Sequence, residues 1–216
     1  MIKAIIFDLD GTLLDSMLFW KAENPVVMKH FAYPMTEETE KELSKISSRE
    51  VSRRIADAGL ASFETAYSKY VDDMTVLYTT KVPTKPGAKE YLDDLRSKGV
   101  RMCVASATPK RATVPALKKH GLFEYLEAVY DETDIGTTKG DPEFFKNIAL
   151  RFGVSVSETA LFDDSLYAVN AAKKAGLTVY SIEDVIQERL SSREKIIAVS
   201  DAFVKDFHEA RTAINL

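Results

Sequence analysis

The stretch KAIIFDLDGTL at residues 3–13 carries most of the information about the fold of this 216-residue chain. Its Ile and Phe residues predict a buried strand that ends at two carboxylates, Asp8 and Asp10. Side chains two residues apart on a strand point the same way, so both carboxylates are expected to reach one point, where Gly11 lets the chain turn. Two like charges this close favour a bound cation or one raised pKa, and phosphoryl chemistry uses both. A polar turn after a strand is the simpler alternative.

The composition is that of an ordinary globular protein, with 45% hydrophobic and 29% charged residues. A formal net charge of −4 gives no basic excess, so nucleic acid is not expected as the main partner. No apolar run approaches the ~20 residues that span a bilayer and no signal-peptide pattern is seen, so no membrane partner is expected. Cys103 is the only cysteine, which favours a reducing compartment. The expectation is a cytoplasmic protein, with its oligomeric state open and a monomer favoured.

From about Val82 onward, strand and helix signals alternate along the chain. Apolar runs predict strands, and periodic segments followed by glycine predict helices. Strands are expected at 100–105, 128–130, 160–162 and 177–180, and helices at 86–97, 115–121, 141–152 and 166–175. The helix predicted at 115–121 starts near Pro115 because proline fits the first turn of a helix and not its interior. With the N-terminal strand, this alternation predicts an α/β fold with a doubly wound parallel sheet.

Residues 15–81 interrupt the alternation. They contain no convincing strand, and helices are predicted at 16–31, 36–46, 48–58 and 62–80. The expected division is a sheet-forming core of residues 1–14 and 82–216 and a small all-helical domain of residues 15–81. An insertion next to a functional strand can act as a lid that excludes water and selects substrates. The last segment, 192–216, is amphipathic and is expected to pack on the core.

Three later segments carry polar side chains that fit the same edge of the sheet. Ser106 ends a predicted strand, where a hydroxyl can bind a phosphate oxygen or cap a helix. Lys139 lies in TTKGDPEFF at 137–145, and as a single residue it would be a surface charge. Asp163 and Asp164 end another strand, so this second acidic pair is expected to face the first and to complete an oxygen cage suited to Mg²⁺. For Asp163 alone, an acidic helix start is the alternative.

In order and spacing, the four segments resemble the motifs of the haloacid dehalogenase (HAD) superfamily, subfamily I, in its capped phosphatase and β-phosphoglucomutase-like branch. The resemblance covers nearly the whole chain and implies a Rossmann-like core with a helical cap. The chain departs from the family pattern at Gly140, where proline is usual, at Asp163, where glutamate is usual, and at Ala168, where glycine is usual. The presence of Asp10 favours phosphoryl transfer over dehalogenation.

The resemblance implies roles for individual residues. Asp8 would be the nucleophile, and Asp10 would be the general acid and then the general base. Mg²⁺ would be held by Asp8, the main-chain carbonyl of Asp10 and Asp164, with Asp163 acting through water. The remaining phosphoryl and substrate contacts would come from Ser106, Lys139, Gly11, Thr12 and Ala107.

Two residues of the predicted helical domain are expected to contact the substrate, namely Arg49 and Trp20. The segment SSRE at 47–50 resembles a loop that brings an arginine to a second phosphate in β-phosphoglucomutase, although Arg49 also fits a helix-surface charge. Trp20 stands where that mutase has a histidine. It fits either a flat apolar wall of the pocket or the core of the helical domain.

The prediction is a Mg²⁺-dependent phosphatase that hydrolyses a small phosphorylated metabolite, such as a sugar phosphate, through an aspartyl-phosphate. A β-phosphoglucomutase-type phosphomutase is the alternative, weakened by the missing histidine. A non-catalytic protein that binds a phosphorylated ligand is the more distant one. Thr108 and Lys110 are further candidate substrate contacts, although Lys110 also fits a solvated surface charge. His120 and His208 have no identifiable partner in the sequence and are expected to be exposed.

Overall fold

The computed structural model describes residues 1–43, 46–188 and 193–214. Parallel strands form one sheet in the order β3-β2-β1-β4-β5-β6. The strands are β1 Ala4–Phe7, β2 Arg101–Ser106, β3 Ala128–Asp131, β4 Thr159–Asp163, β5 Thr178–Ile182 and β6 Ala202–Val204. Phe7 on the central strand lies opposite Val104 on β2 and Phe162 on β4. The carboxyl ends of β1, β2 and β4 therefore lie side by side where the strand order reverses, which is where open α/β sheets bind ligands.

The helices cover the sheet and fill the segment between β1 and β2. They are α1 Met17–His30, α2 Glu37–Leu43, α3 Ser48–Asp57, α4 Phe63–Thr80, α5 Ala88–Ser97, α6 Lys110–Lys119, α7 Glu132–Ile135, α8 Pro142–Arg151, α9 Leu166–Ala175, α10 Val185–Glu188, α11 Arg193–Val199 and α12 Phe207–Ala213. The helices α1 to α4, residues 17–80, are called the helical insertion below. Within the described ranges, none of the helices has both the length and the apolar character needed to cross a bilayer.

Alternate residues of the central strand face two separate apolar clusters. Ile5 and Phe7 pack with α5, α12 and the helical insertion, whereas Ala4 and Ile6 pack with α8 and α9. Phe7 stacks on Phe162 with ring centroids 5.3 Å apart. All four residues of β1 are buried, as expected of a central parallel strand covered on both faces. The central strand β1 is therefore packed on both faces, and Asp8 directly follows it at the carboxyl edge of the sheet.

Two chain connections join the helical insertion to the sheet, and they are hydrogen-bonded to each other. The Asp15 N–H donates to the Pro83 carbonyl at 3.0 Å, and the Lys85 N–H donates to the Leu13 carbonyl at 2.9 Å. The buried ammonium of Lys85 is paired with Asp184, which follows β5, at an N–O distance of 3.0 Å. Both connections are thereby fixed at the carboxyl edge of the sheet.

The predicted α/β fold with a doubly wound parallel sheet is confirmed. The predicted start at Pro115 is wrong, because α6 begins at Lys110 and keeps the proline in its interior. Burial of Ala112, Ala116 and Leu117 outweighs the one hydrogen bond that the proline removes.

The last part of the chain packs on the core, as predicted, where it is described, with Phe207 and Ala210 buried. It also contributes the edge strand β6, which was not predicted, because three residues give too short an apolar pattern. In the insertion, the helix predicted at 36–46 is described over Glu37–Leu43, and residues 44–45 of that prediction lie outside the described residues.

Candidate active site

The strand ends and one loop bring five polar side chains to a single cleft. Asp8 directly follows β1, and its N–H donates to the Phe162 carbonyl at 3.0 Å. Ser106 ends β2, and Asp164 follows β4. Lys139 comes from the loop before α8, while Asp10 lies on the turn after β1. All five residues line a cavity of about 350 Å³ between the sheet edge and the helical insertion. The cavity also includes Ala107, Thr108, Arg49 and Trp20.

Lys139 is a fully buried cation that is held by two carboxylates. Its Nζ lies 2.6 Å from Oδ1 of Asp8 and 2.7 Å from Oδ2 of Asp163. Burial lowers the pKa of Lys139, but Asp163 and Asp8 outweigh it and raise that pKa well above its ordinary value. The main-chain N–H of Lys139 also donates to Glu132 at 3.0 Å. The ammonium is therefore fixed beside Asp8 and stays charged.

Asp163 differs from Asp164 in what its oxygens contact. Oδ2 of Asp163 faces Lys139, and Oδ1 accepts from the N–H and the hydroxyl of Ser165 at 2.9 and 2.6 Å. Oδ2 of Asp164 is buried and has no hydrogen-bond partner among the described residues. One oxygen each of Asp8, Asp163 and Asp164 lie within 4.8 Å of one another.

Three carboxyl groups near one ammonium shift the titration of the cluster. Burial raises the pKa of Asp8 to about 7; Lys139 opposes this shift, and Asp163 and Asp10 add to it. Burial, followed by the charges of Asp163 and Asp8, raises the pKa of Asp164 well above its ordinary value. Hard carboxylate oxygens short of positive charge fit a divalent cation, and one buried oxygen of Asp164 has no hydrogen-bond partner among the described residues.

Gly11 allows the turn after β1 to lie against Asp164. Its φ of +76° is in the left-handed region, and a Cβ built on it would lie 2.1 Å from Oδ2 of Asp164. Neither Gly11 nor the buried Thr12 is among the residues that line the cavity. Both residues belong to the turn that follows β1, and their predicted contact with the substrate stays a prediction.

Four donors among the described residues hold Asp10, and two of them, Ser16 and Tyr78, were not among the candidate residues of the sequence analysis. Its Oδ1 accepts from the Ser16 hydroxyl at 2.6 Å, the Trp20 indole N–H at 2.9 Å and the Tyr78 hydroxyl at 2.5 Å. Its Oδ2 accepts from the Thr108 hydroxyl at 2.7 Å. Trp20 therefore does more than either expected role, since it lines the cavity and also binds Asp10. Burial and the nearby Asp10 carboxylate raise the pKa of Tyr78 well above its ordinary value.

Arg49 connects the helical insertion to the sheet edge across the cavity. Its Nη2 lies 3.0 Å from Oε2 of Glu132 and 3.5 Å from the Ala107 carbonyl. Its guanidinium lies 4.9 Å from the ring centroid of Tyr67. Arg49 thus has partners at the sheet edge, in Glu132 and Ala107, which a simple helix-surface charge would lack. Glu132 was missed by the sequence analysis, because the motif patterns give no weight to the residue that follows β3.

Three secondary expectations can be compared with the structure. Lys110 forms an ion pair with Asp134 at 2.8 Å and does not line the cavity. The expectation for His120 is wrong, because its Nε2 lies 3.1 Å from the Tyr78 carbonyl and it is only partly exposed. His208 is exposed, as predicted.

Comparison with known proteins identifies the family. Residues 5–182 match the family described as haloacid dehalogenase-like hydrolase, so the chain belongs to this family. The predicted family is thus confirmed.

Within this family, the chain is similar to proteins that are named as a phosphatase and a phosphomutase. It is 25% identical over 189 residues to a phosphorylated carbohydrates phosphatase of Thermotoga maritima, covering 84% of this chain and 88% of that protein. It is also 25% identical over 222 residues to the β-phosphoglucomutase of Bacillus subtilis, covering 96% and 94%. The structure of CbbY from Rhodobacter sphaeroides in complex with xylulose-(1,5)bisphosphate superposes with a TM-score of 0.79 at 17% identity, covering 97% of this chain and 96% of that one.

Proposed function

We propose that this protein is a Mg²⁺-dependent phosphatase that hydrolyses a small phosphomonoester, such as a sugar phosphate, through an aspartyl-phosphate on Asp8. The observation that carries the proposal is the buried group of Lys139, Asp8 and Asp164, in which an ammonium holds one carboxylate and the other keeps an unpartnered oxygen. The names of the relatives support the same class of reaction and of substrate.

The proposed chemistry has two steps at the same carboxylate. Asp8 attacks phosphorus while Asp10 gives a proton to the leaving oxygen, and Asp10 then takes a proton from the water that cleaves the aspartyl-phosphate. Ser106 and Lys139 hold the oxygens of the transferring group, together with main-chain N–H groups near Ala107. The fixed position of Lys139 beside Asp8 means that this charge is already in place before the substrate arrives.

The proposed metal ligands are Asp8, Asp164 and the main-chain carbonyl of Asp10. Bound Mg²⁺ would offset the repulsion between the Asp8 carboxylate and the phosphate dianion. Asp163 would contact the ion only through water, since both of its oxygens already have partners in Lys139 and Ser165. The same pairing gives Asp163 a second task, which is to hold the ammonium of Lys139.

Residues 15–81 are proposed to act as a cap that selects the substrate. The cavity lies between this segment and the sheet edge, so the part of the substrate beyond its phosphate would meet Trp20 and Arg49. A guanidinium there suits a second anionic group, because it can bind two oxygens at once. Gly11 and Thr12 would contribute through the turn that they form and not through their side chains.

A phosphomutase is the second candidate, favoured by the β-phosphoglucomutase relative that matches nearly the whole chain. Product analysis with α- and β-glucose 1-phosphate separates the two. The phosphatase proposal predicts free phosphate and glucose, whereas a mutase would yield glucose 6-phosphate. A protein that only binds phosphorylated ligands would release no phosphate from any ester.

Hydrolysis of p-nitrophenyl phosphate with Mg²⁺ and with EDTA is the first test of the proposal. Release of p-nitrophenol that requires the metal is expected, and full activity in EDTA would contradict the metal assignment. A panel of phosphorylated metabolites, including phosphorylated sugars, would then identify the preferred substrate.

A further inference from the structure

The carboxylate of Asp10, to which the proposed mechanism gives the proton transfers, is held in one orientation by its neighbours. Both oxygens accept hydrogen bonds, from Ser16, Trp20 and Tyr78 on one side and from Thr108 on the other. A carboxyl group that is held at both oxygens cannot rotate about its Cβ–Cγ bond without losing several charge-assisted bonds. The donors therefore fix the direction in which Asp10 points.

Tyr78 lies at the centre of these donors. It is fully buried near the end of α4, and its hydroxyl donates to Asp10 while accepting from the Trp20 indole N–H at 3.1 Å. The indole N–H thus donates to both the Asp10 carboxylate and the Tyr78 hydroxyl. Tyr78 and Trp20 come from α4 and α1, so two helices of the insertion meet at one catalytic carboxylate.

The position of Tyr78 is itself tied to the sheet-forming part of the chain. His120, which follows α6, places Nε2 3.1 Å from the Tyr78 carbonyl. On the same pair of helices, Arg111 donates to the Ser68 hydroxyl at 2.9 Å and contacts Asp72. The way in which α4 rests on α6 therefore sets where the Tyr78 hydroxyl meets Asp10.

We propose that Tyr78, supported by Trp20, is a positioning residue that holds the Asp10 carboxyl group in line with the leaving oxygen. The inference rests on the proposed phosphatase function. In the step concerned, the proton on Asp10 moves to the leaving oxygen as the phosphorus–oxygen bond breaks and the bond from Asp8 to phosphorus forms. Such a transfer needs the donor and the acceptor within hydrogen-bond reach, and small misplacements are costly.

The test uses Tyr78→Phe, which removes the hydroxyl and keeps the ring. Phenyl phosphate and p-nitrophenyl phosphate have nearly the same shape, but p-nitrophenolate leaves readily without a proton and phenolate does not. The ratio of kcat for phenyl phosphate to kcat for p-nitrophenyl phosphate is expected to fall about tenfold in the variant. KM is expected to change by less than about twofold for both esters, because Asp10 acts on the leaving oxygen and not on binding.

Tyr70→Phe is the matched control. Tyr70 lies on the same helix, is buried, and donates its hydroxyl to Asn24 at 2.9 Å without touching Asp10. This variant loses a buried hydrogen bond of similar kind, so its melting temperature is expected to fall while its ratio of the two kcat values stays at the wild-type value. If Tyr78→Phe does not fold, Trp20→Phe is measured instead and is expected to lower the ratio in the same direction.

A ratio in Tyr78→Phe equal to that of the wild type would overturn the inference, and so would an equal change in Tyr70→Phe. Equal loss on both esters would show that Tyr78 serves only to hold the fold together. If the wild-type protein with Mg²⁺ hydrolyses neither ester, the proposed function itself fails, and the positioning role falls with it.

Discussion

Lys139 supplies a buried positive charge to two of the three clustered carboxylates in the cleft. Its ammonium is shared by Asp8 and Asp163, at 2.6 and 2.7 Å, while Asp164 has no cation of its own among the described residues. Asp164 is therefore the carboxyl group that gains most from an added cation. This difference supports the separate roles that the family resemblance implies for the two neighbouring aspartates.

At the residue scale, Asp164→Asn is expected to weaken Mg²⁺ binding at least tenfold and more than Asp163→Asn does. In the first case the amide removes an anionic ligand that the proposal places on the metal. In the second it removes a group that the proposal places beyond the direct ligands, and its one oxygen can still accept from either Lys139 or Ser165. The measurement is the Mg²⁺ concentration that gives half of the maximal rise in melting temperature. A stronger effect of Asp163→Asn would show that the two roles are reversed.

The stabilisation by Mg²⁺ is expected to depend on pH. Asp8 in the folded protein keeps its proton up to a pKa of about 7, against an ordinary value of 3.8. Between these values the metal-free native state binds more protons than the unfolded state, so its free energy of unfolding falls as pH rises. Mg²⁺ requires the carboxylate, so it should raise the melting temperature more at pH 8 than at pH 5. NaCl at equal ionic strength is the control, and a larger rise at pH 5 would contradict this account.

Gly11→Ala is expected to destabilise the protein by clearly more than Gly59→Ala. Both glycines have positive φ, so each alanine carries a backbone cost of about 1 kcal/mol. At Gly11 the new Cβ would also collide with Asp164, whereas at Gly59 it would meet no atom within 4 Å in the part of the chain that the structure describes. Urea unfolding of both variants measures the difference. Equal losses would mean that the turn can move away from Asp164.

At the scale of elements, α3 reaches the sheet edge through one side chain. Arg49 contacts Glu132, which follows β3, and the main-chain N–H of Lys139 donates to that same glutamate. The insertion is therefore linked through Glu132 to the loop that carries the buried lysine. An anionic group of a substrate in the cavity would compete with Glu132 for the guanidinium.

Arg49→Ala is expected to lower kcat/KM most for substrates that carry a second anionic group, by a factor that corresponds to about 1.5–3 kcal/mol. p-Nitrophenyl phosphate has no such group and should lose much less. Arg53→Ala is the control, because Arg53 lies on the same helix and is largely exposed. An equal loss of activity on every substrate would indicate that Arg49 supports the structure and not recognition.

At the scale of the whole molecule, the sequence was sufficient for the alternation of strands and helices and for the residues at the strand ends. Those features are local, since an apolar run followed by a carboxylate or hydroxyl is visible in one segment. The contacts of Asp10 were not predictable in this way. In the sequence Tyr78 looks like a core aromatic, and the packing of α4 on α6 brings its hydroxyl to the carboxylate. Ser16 looks like an ordinary helix start, and the fold of the turn after β1 brings its hydroxyl back to Asp10.

The same limit explains the other differences. The contact of Glu132 with Arg49 and the pairing of β6 with β5 join residues that lie far apart in the sequence. Pro115 stays inside α6 because tertiary burial outweighs a local preference.

The measurement that tests the central claim most directly is phosphate release from p-nitrophenyl phosphate by the wild-type protein and by Asp8→Asn, both with Mg²⁺. An amide cannot form the acyl phosphate, so the variant is expected to retain the far-UV circular dichroism of the fold and to lose essentially all turnover. A folded Asp8→Asn protein that keeps more than a few per cent of wild-type turnover would contradict the assignment of Asp8 as the nucleophile.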